Sequence, residues 1–176
     1  MIIRFRIGTW RFAFTVGRVV EVAGMNSWLG KDDHVLFWDF DDMDLREVVS
    51  SLHSIQQRYR LPEIHVINTG QKNSFIAMCF KRVHLSKAIE IIAATRGEDL
   101  SHLRFGAFRK RYTLRLSTKC GRSLKRVAVI PSKVKPDCNI FDLKSMAIYE
   151  TRPDHYKQKI IDIWTDGKTI RGVKRG

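Results

Sequence analysis

One segment constrains the fold of this chain more than any other, because it joins an unbroken apolar run to a pair of acidic residues. From Val35 to Asp42 it reads Val-Leu-Phe-Trp-Asp-Phe-Asp-Asp. A short apolar run of this kind predicts a buried strand, and residues spaced i, i+2 on a strand point to the same side of the sheet. Asp39 and Asp41 are therefore expected to stand side by side. Two carboxylates that close repel each other unless a cation or a proton lies between them, so the pair predicts a site for Mg²⁺ or Mn²⁺.

The acidic residues that follow the pair have a different interpretation, as caps of the next helix. A stretch with apolar residues at helical spacing begins directly after Asp44, and Glu47 lies three residues further on. This is the spacing of a capping box. Capping is the preferred interpretation for Asp42 and Asp44. It stays open as the alternative for Asp39 and Asp41, because acidic residues often close a strand.

The periodicity of the apolar residues predicts an α+β fold. Two N-terminal strands, Ile2–Ile7 and Phe12–Glu21, precede a loop at 24–33. The elements predicted after this loop are a strand at 34–41, a helix at 45–60, strands at 63–68 and 74–83, a helix at 85–96, and strands at 112–117 and 124–130. This βαββαβ order is that of the ferredoxin-like or RRM-like fold, here with additional N-terminal strands.

The length of 176 residues predicts one main domain. Residues 1–150 are expected to form it, and residues 151–176 are expected to be a partly flexible C-terminal extension. A strand at 141–149 and a short helix at 156–164 are predicted in this last part of the chain.

The chain is strongly basic, with a formal net charge of +14. Residues 31–66 carry eight acidic and four basic residues, whereas residues 67–150 carry 17 basic and six acidic ones. A basic region beside an acidic centre predicts a polyanionic partner. Nucleic acid is preferred over an anionic membrane surface, because no basic amphipathic helix with bulky apolar residues is visible. The residues predicted to contact nucleic acid are Arg109, Lys110, Arg111, Arg122, Lys125 and Arg126.

The sequence predicts an intracellular protein that does not span a membrane. The three cysteines, odd in number and widely spaced, predict neither a disulfide framework nor a zinc site. No apolar run approaches the roughly 20 residues that cross a bilayer, and the N-terminus lacks the apolar core of a signal peptide.

A second polar segment lies between two predicted strands, where Thr69-Gly70 is followed by Gln-Lys-Asn-Ser. Side chains and backbone amides of Lys72, Asn73 and Ser74 are candidates to meet a phosphate group. The alternative is an ordinary hairpin turn with solvated polar residues.

These features together resemble the archaeo-eukaryotic primase superfamily, in particular the primase-polymerases of plasmids and viruses. The first motif of that family is three apolar residues followed by Asp, an apolar residue and Asp, and Leu36–Asp41 fits it at every position. The second motif is a small residue and glycine, a basic turn, and a histidine that enters a strand. The chain departs from the family here, because Ser74 or Phe75 stands where the histidine belongs. The family associates that histidine with the phosphates of the incoming nucleotide.

The third motif of the family is a further aspartate after the second helix, followed by a basic strand. Asp99 is the matching residue, with Glu98 as its rival, and the strand that ends in Leu-Arg-Leu-Ser-Thr-Lys matches the basic part. The resemblance implies that Arg115 and Lys119 contact phosphates. The alternatives are that both acidic residues are merely exposed at a helix C-terminus and that the strand presents a solvated face.

The resemblance covers residues 34–130 and implies a replication-type nucleotidyltransferase with a palm-like core. Asp39, Asp41 and Asp99 would be the catalytic metal ligands. Lys72, Asn73, Ser74, Arg115 and Lys119 would bind nucleoside triphosphate or template. The expected partners are DNA, single-stranded or duplex, and a replication helicase, in the cytoplasm or in the replication complex of a plasmid or virus. Two alternatives stay open: a non-catalytic replication initiation protein that binds nucleic acid, and a small metal-dependent nuclease.

Overall fold

The computed structural model describes residues 2–15, 20–117, 121–143, 146–151, 160–165 and 170–175, which belong to two units. One unit is Val22–Tyr149, and the other is Met1–Glu21 together with Glu150–Gly176. The predicted division after residue 150 lies next to one of these boundaries. Residues 1–21, which the prediction put in the larger domain, belong to the unit of the C-terminal segment.

In chain order the elements are β1 (Ile2–Ile7), β2 (Trp10–Thr15), β3 (Val20–Asn26), β4 (Trp28–Gly30), β5 (Asp33–Phe40), α1 (Leu45–Tyr59), β6 (Ile64–Asn68), β7 (Phe75–His84), α2 (Leu85–Ala93), α3 (Leu100–Arg109), β8 (Thr113–Arg115), β9 (Lys125–Ile130), a 3₁₀ helix (Ile140–Asp142), β10 (Met146–Thr151), β11 (Ile160–Thr165) and β12 (Ile170–Arg175).

The larger unit is built on a five-stranded antiparallel sheet in the order β4-β5-β7-β6-β9. The strand predicted from the apolar run is β5. Residues Val35–Trp38 and Phe40 of this strand are 0% exposed, so both of its faces are covered. Burial on both faces is the reason why the apolar run does not alternate with polar residues.

Helices α1 and α2 cover one face of this sheet. α1 contacts β6 and β9, and α2 contacts β5 and β7. The Ser51 hydroxyl on α1 donates to the carbonyl of Arg96, just after α2, at 2.7 Å, so the two helices are neighbours. The indole Nε1 of Trp38 donates to Thr95 Oγ1 at 2.9 Å, which assigns the Trp38 side of β5 to the helices. Asp39 therefore lies on the opposite side.

The predicted cap of the first helix is confirmed. The side chain of Asp44 accepts the backbone N–H of Glu47 at 2.9 Å, and the side chain of Glu47 accepts the N–H of Asp44 at 3.4 Å. The helix ends at Tyr59, one residue before its predicted end, with Arg60 in the left-handed conformation.

The predicted α+β class is confirmed, but the ferredoxin-like topology is not. The order β5-α1-β6-β7-α2 follows the prediction, and β7 pairs with both β5 and β6. In the ferredoxin-like fold the last strand lies beside the first, whereas β9 pairs with β6 at the far edge. On the side of β5, the N–H of Ser27 donates to the Tyr112 carbonyl and the Ser27 carbonyl accepts from Val35, both at 2.8 Å. This residue connects β5 to a three-stranded sheet in the order β10-β3-β8.

The largest departure from the sequence prediction is α3, a helix where none was expected. The second helix ends at Ala93 rather than near residue 96, and Leu100–Arg109 forms a separate helix. The interpretation that Glu98 and Asp99 are exposed at a helix C-terminus is therefore wrong. Asp99 is the N-cap of α3, where the helix dipole favours an acidic residue.

Smaller departures occur where strands replace predicted loops or helices. The predicted loop at 24–33 contains the end of β3 and all of β4, and the strand predicted at 141–149 is divided into a 3₁₀ helix and β10. The helix predicted at 156–164 is wrong from residue 160 onward, because β11 begins there. Residues 156–159 of that prediction lie outside the described residues, and the predicted flexibility of 151–176 stays a prediction.

The smaller unit contains a four-stranded sheet in the order β12-β11-β1-β2. The predicted strand Ile2–Ile7 is confirmed as β1, which pairs in parallel with β11 and antiparallel with β2. The ring of Phe5 stacks on Phe12 and Phe14, with centroid distances of 5.0 and 5.6 Å. In neither unit does a described helix have the length and apolar character that crossing a bilayer requires.

Candidate functional site

The predicted acidic residues meet at the C-terminal end of β5. The backbone N–H of Asp39 donates to Glu98 Oε2 at 3.1 Å, and the carbonyl of Asp39 accepts the N–H of Asp99 at 2.8 Å. Asp41 follows two residues after Asp39 and is exposed. The segment between α2 and α3 is thus fastened to the acidic strand, and four carboxyl groups share one end of the sheet.

Glu98 is buried beneath this cluster and pairs with His102 on the first turn of α3. Its Oε1 lies 2.5 Å from Nδ1 of His102, and the two side chains are 3% and 10% exposed. Burial raises the pKa of Glu98 to about 9, with the N–H of Asp39 opposing the rise and the charge of Asp99 adding to it. Burial likewise lowers the pKa of His102. The two side chains form a buried hydrogen-bonded pair, and the bond from the Asp39 N–H to Glu98 connects this pair to β5.

The carboxyl group of Asp39 carries an unfavourable charge. Burial raises its pKa to about 6, the charges of Asp41, Glu98 and Asp99 act in the same direction, and His102 opposes them. Within the described part of the chain, the carboxylates of Asp39 and Asp41 make no hydrogen bond or ion pair. A site of this kind gains stability from a cation.

The donor chemistry fits a hard divalent cation at Asp39 and Asp41, because both offer carboxylate oxygens without other partners. Asp99 is a weaker donor, since its Oδ1 accepts the N–H of Ser101 at 2.6 Å to cap α3. Over the described ranges, no three or more histidine, cysteine or acidic side chains converge in a group that could hold a metal ion. The three-ligand set of Asp39, Asp41 and Asp99 therefore stays a prediction.

The predicted phosphate-binding turn lies next to the acidic strand. The N–H of Met43 donates to the carbonyl of Asn73 at 3.2 Å, so the turn touches the chain directly after the acidic pair. Lys72 and Asn73 are exposed, whereas Ser74 is buried and its hydroxyl accepts from Thr69 Oγ1 at 2.9 Å. Two residues of the predicted phosphate-binding set are thus accessible and the third is enclosed within the turn.

Two arginines flank the same turn. Nη2 of Arg115, on β8, donates to the carbonyl of Thr69 at 2.8 Å. Gly70 has a φ of 80°, and a Cβ there would stand 2.8 Å from the Cβ of Arg122, so a glycine is needed for this close approach. Arg115 and Arg122 are therefore placed beside the turn, and their contacts with phosphate and nucleic acid stay predictions.

The other predicted basic residues are more dispersed. Arg126 on β9 stands in register with Ile67, Ile76 and Asp39, three strand spacings or about 15 Å from the aspartate. Lys125 pairs with Asn68 on the neighbouring strand. Arg109, Lys110 and Arg111 are exposed at the far end of α3, about 15 Å along the helix from Asp99. Lys119 lies outside the described residues.

The sequence prediction missed two sets of residues because it missed α3. The first is the pairing of Glu98, which the prediction named only as the rival of Asp99, with His102; their i, i+4 spacing is the signal that a helix near Asp99 would have given. The second is the exposed aromatic pair Phe105 and Phe108 on the outer side of that helix. Gly106 made the helix harder to predict, because glycine disfavours a helix interior. The structure explains why glycine is needed there: a Cβ at this position would lie 2.2 Å from the ring of Tyr112.

Comparison of the chain with known protein families, with curated proteins and with solved structures finds no match.

Proposed function

We propose that the unit Val22–Tyr149 is a primase-polymerase-like nucleotidyltransferase that extends nucleic acid and takes Mg²⁺ or Mn²⁺ at its acidic strand. One observation carries the proposal: the acidic pair of β5, the Glu98-Asp99 segment and the Thr69–Ser74 turn meet at one end of the sheet. Direct hydrogen bonds connect them, from Asp99 to Asp39 and from Met43 to Asn73. Sequence segments that are far apart in the chain are brought together in the combination that phosphate chemistry needs.

In this arrangement the acidic side chains lie at the end of β5, and the basic side chains lie at the neighbouring Thr69–Ser74 turn. Asp39 and Asp41 would hold the metal, which supplies charge neutralisation to nucleotide phosphates and polarises the attacking hydroxyl. Lys72 and Asn73 lie on the exposed side of the turn and would orient the triphosphate, with Arg115 beside them. Positioning and charge stabilisation are the main contributions that a protein makes to phosphoryl transfer.

The palm assignment belongs to the same proposal. The order β5-α1-β6-β7-α2, with the acidic residues at the end of β5, is that of a palm, and β8 is the strand on the β5 side that would complete it. The attachment of β8 through Ser27 rather than by direct pairing with β5 is the point at which this chain differs from a plain ferredoxin-like sheet.

A second candidate function is favoured by one observation, the buried serine in place of the family histidine. Ser74 is 6% exposed, and its hydroxyl is used within the turn. A palm without this phosphate contact would serve as a non-catalytic module that binds nucleic acid for replication initiation. A metal-dependent nuclease would use the same acidic pair, and only the reaction product distinguishes it.

The test is incorporation of labelled deoxynucleotides on a primed single-stranded template, with Mn²⁺ and with Mg²⁺. We expect slow incorporation that favours Mn²⁺ and disappears in Asp41→Asn. Asp42→Asn is the matched control, because Asp42 is exposed with a φ of 58°, a conformation that asparagine tolerates. A shortened labelled strand would indicate the nuclease. Undetectable nucleotide binding by calorimetry, together with tight binding of nucleic acid, would leave the non-catalytic module.

A further inference from the structure

Helix α3 presents an outer face that combines large apolar side chains with arginines. Its inward residues are Leu103 and Ala107, which are partly buried, Gly106 and His102. Its outward residues are exposed, and the apolar ones are exposed to an unusual degree: Leu100 is 60%, Phe105 58% and Phe108 86% exposed. We call the set of Leu100, Arg104, Phe105, Phe108 and Arg109 the α3 outer face.

Every formally charged side chain from Leu100 to the end of α3, and in the two residues after it, is positive. Arg104 and Arg109 lie on the outer face, and Lys110 and Arg111 follow directly at its end. The sequence contains no acidic residue between Leu100 and Ser117. None of these four cations forms an ion pair with a residue that the structure describes. The guanidinium of Arg109 stands over the ring of Phe105, 5.4 Å from its centroid, so the aromatic and cationic groups are directly adjacent.

We infer that the α3 outer face binds single-stranded nucleic acid, with unpaired bases stacked on Phe105 and Phe108 and phosphates held by Arg104 and Arg109. Aromatic rings interleaved with cations are the groups with which proteins hold single strands, since every base has a face that stacks. The inference rests on the proposed function and names the strand that the site takes. It adds two aromatic contacts to the basic residues predicted from the sequence.

The position of the face favours this occupant over others. α3 begins at Asp99, whose N–H is bonded to Asp39, so a strand lying on the outer face arrives at the acidic cluster. Because α3 is a basic helix with bulky exposed apolar residues, which the sequence prediction missed, an anionic membrane is one of the outcomes that the binding test distinguishes. A second copy of this chain would have to cover several arginines with a protein whose own net charge is +14.

The test measures binding of a labelled single-stranded oligonucleotide of about ten nucleotides in buffer with a chelator, so that no metal site contributes. Phe108→Ala and Phe105→Ala are each expected to weaken binding about tenfold. Phe108→Leu, which keeps an apolar side chain without a ring, should weaken binding by a similar factor. Phe108→Trp, which keeps an aromatic ring, should bind with the affinity of the wild type. Phe141→Ala is the matched control, because Phe141 is 94% exposed and lies on another element.

Affinity for duplex DNA should change less than twofold in the phenylalanine variants, because paired bases do not offer their faces. Replacing Arg109, Lys110 and Arg111 by alanine should flatten the dependence of log affinity on log salt by about 0.7 for each phosphate of a single strand that the variant no longer neutralises. Equal reductions in affinity for single strand and duplex, or no reduction in either phenylalanine variant, would overturn the inference.

Two further outcomes would also overturn it. One is binding to vesicles that contain phosphatidylserine, abolished in Phe108→Ala. The other is a dimer by light scattering that becomes a monomer in the same variant.

Failure of the inference is distinguishable from failure of the proposed function. Asp41→Asn should abolish incorporation and keep oligonucleotide binding, whereas Phe108→Ala should raise the KM for template and leave kcat unchanged.

Discussion

At the scale of single residues, Asp39 is an acidic side chain in surroundings that disfavour its negative charge. Its strand is buried on both faces, yet its carboxyl group stands among those of Asp41, Glu98 and Asp99, and its pKa is raised to about 6. Folding therefore has to accommodate a charge that the fold itself disfavours. Such residues are found where a cation or substrate completes the site.

The first prediction concerns the charge on Asp39. A carboxyl whose pKa is raised in the folded state makes unfolding easier as pH rises from its ordinary value near 4 to about 6, and the cost persists above pH 6. In metal-free buffer at pH 8, Asp39→Asn should therefore stabilise the protein by up to about 3 kcal/mol. Millimolar Mn²⁺ should raise the Tm of the wild-type protein by mass action and leave that of Asp39→Asn unchanged.

Asp42→Asn again provides the control, and it should keep the metal-dependent rise in Tm. Equal Tm values for wild type and Asp39→Asn, with and without Mn²⁺, would favour the alternative that Asp39 merely closes the strand.

At the scale of elements, α3 marks the limit of what the sequence reveals. The apolar run of β5 and the spacing of α1 are strong local patterns, and both elements were predicted to within one or two residues. α3 is ten residues long, contains a glycine that Tyr112 requires, and exposes two phenylalanines. In a typical surface helix the apolar residues face inward and the polar residues face outward. In α3 two phenylalanines face outward and a glycine faces inward, so the sequence does not show the usual helical pattern.

The candidate site was predictable to the same degree as its elements. Asp39, Asp41 and Asp99 were identifiable from residue type and order, and the structure brings the segments together. The roles of Glu98 and His102 depend on burial beneath α3, which no local pattern contains. The placement of β9 at the far edge depends on long-range pairing, and the order of strands along the chain does not specify it.

The second prediction separates the two roles of Asp99, cap and ligand. Asparagine caps helices about as well as aspartate, so Asp99→Asn should keep the Tm within about 2 °C. Asp99→Ala loses the bond to Ser101 and should cost about 1 kcal/mol, or several degrees in Tm. If Asp99 is the third ligand, both variants lose nucleotide incorporation.

Asp44→Ala is the matched control for that comparison, because it removes a capping box from α1 without touching the acidic cluster. It should lower Tm by a similar amount and leave incorporation intact. Full incorporation by Asp99→Asn would assign Asp99 to capping alone.

At the scale of the whole larger unit, one end of the sheet collects the acidic strand, the Thr69–Ser74 turn and two arginines, and α3 leads away from it. The departure from the primase resemblance also falls here, at Ser74 or Phe75. Phe75 pairs with Phe40 and so faces the helices, whereas Ser74 precedes it on the side of Asp39. Of the two positions, Ser74 is thus the one on the side of the acidic pair, although its hydroxyl is enclosed within the turn.

The third prediction restores the histidine at that position. Ser74→His should increase incorporation by a factor between about ten and a hundred, which is below the roughly hundredfold to thousandfold effect of a single well-placed donor because residue 74 is enclosed within the turn. Phe75→His is the matched control. It places the imidazole in the core against Phe40, should lower stability by about 3 kcal/mol, and should leave incorporation no higher than that of the wild type. Adding Asp41→Asn to Ser74→His should abolish the gain, because the metal site would be removed. A folded Ser74→His protein that neither binds nucleotide by calorimetry nor incorporates it would contradict the enzyme assignment and support the non-catalytic replication module.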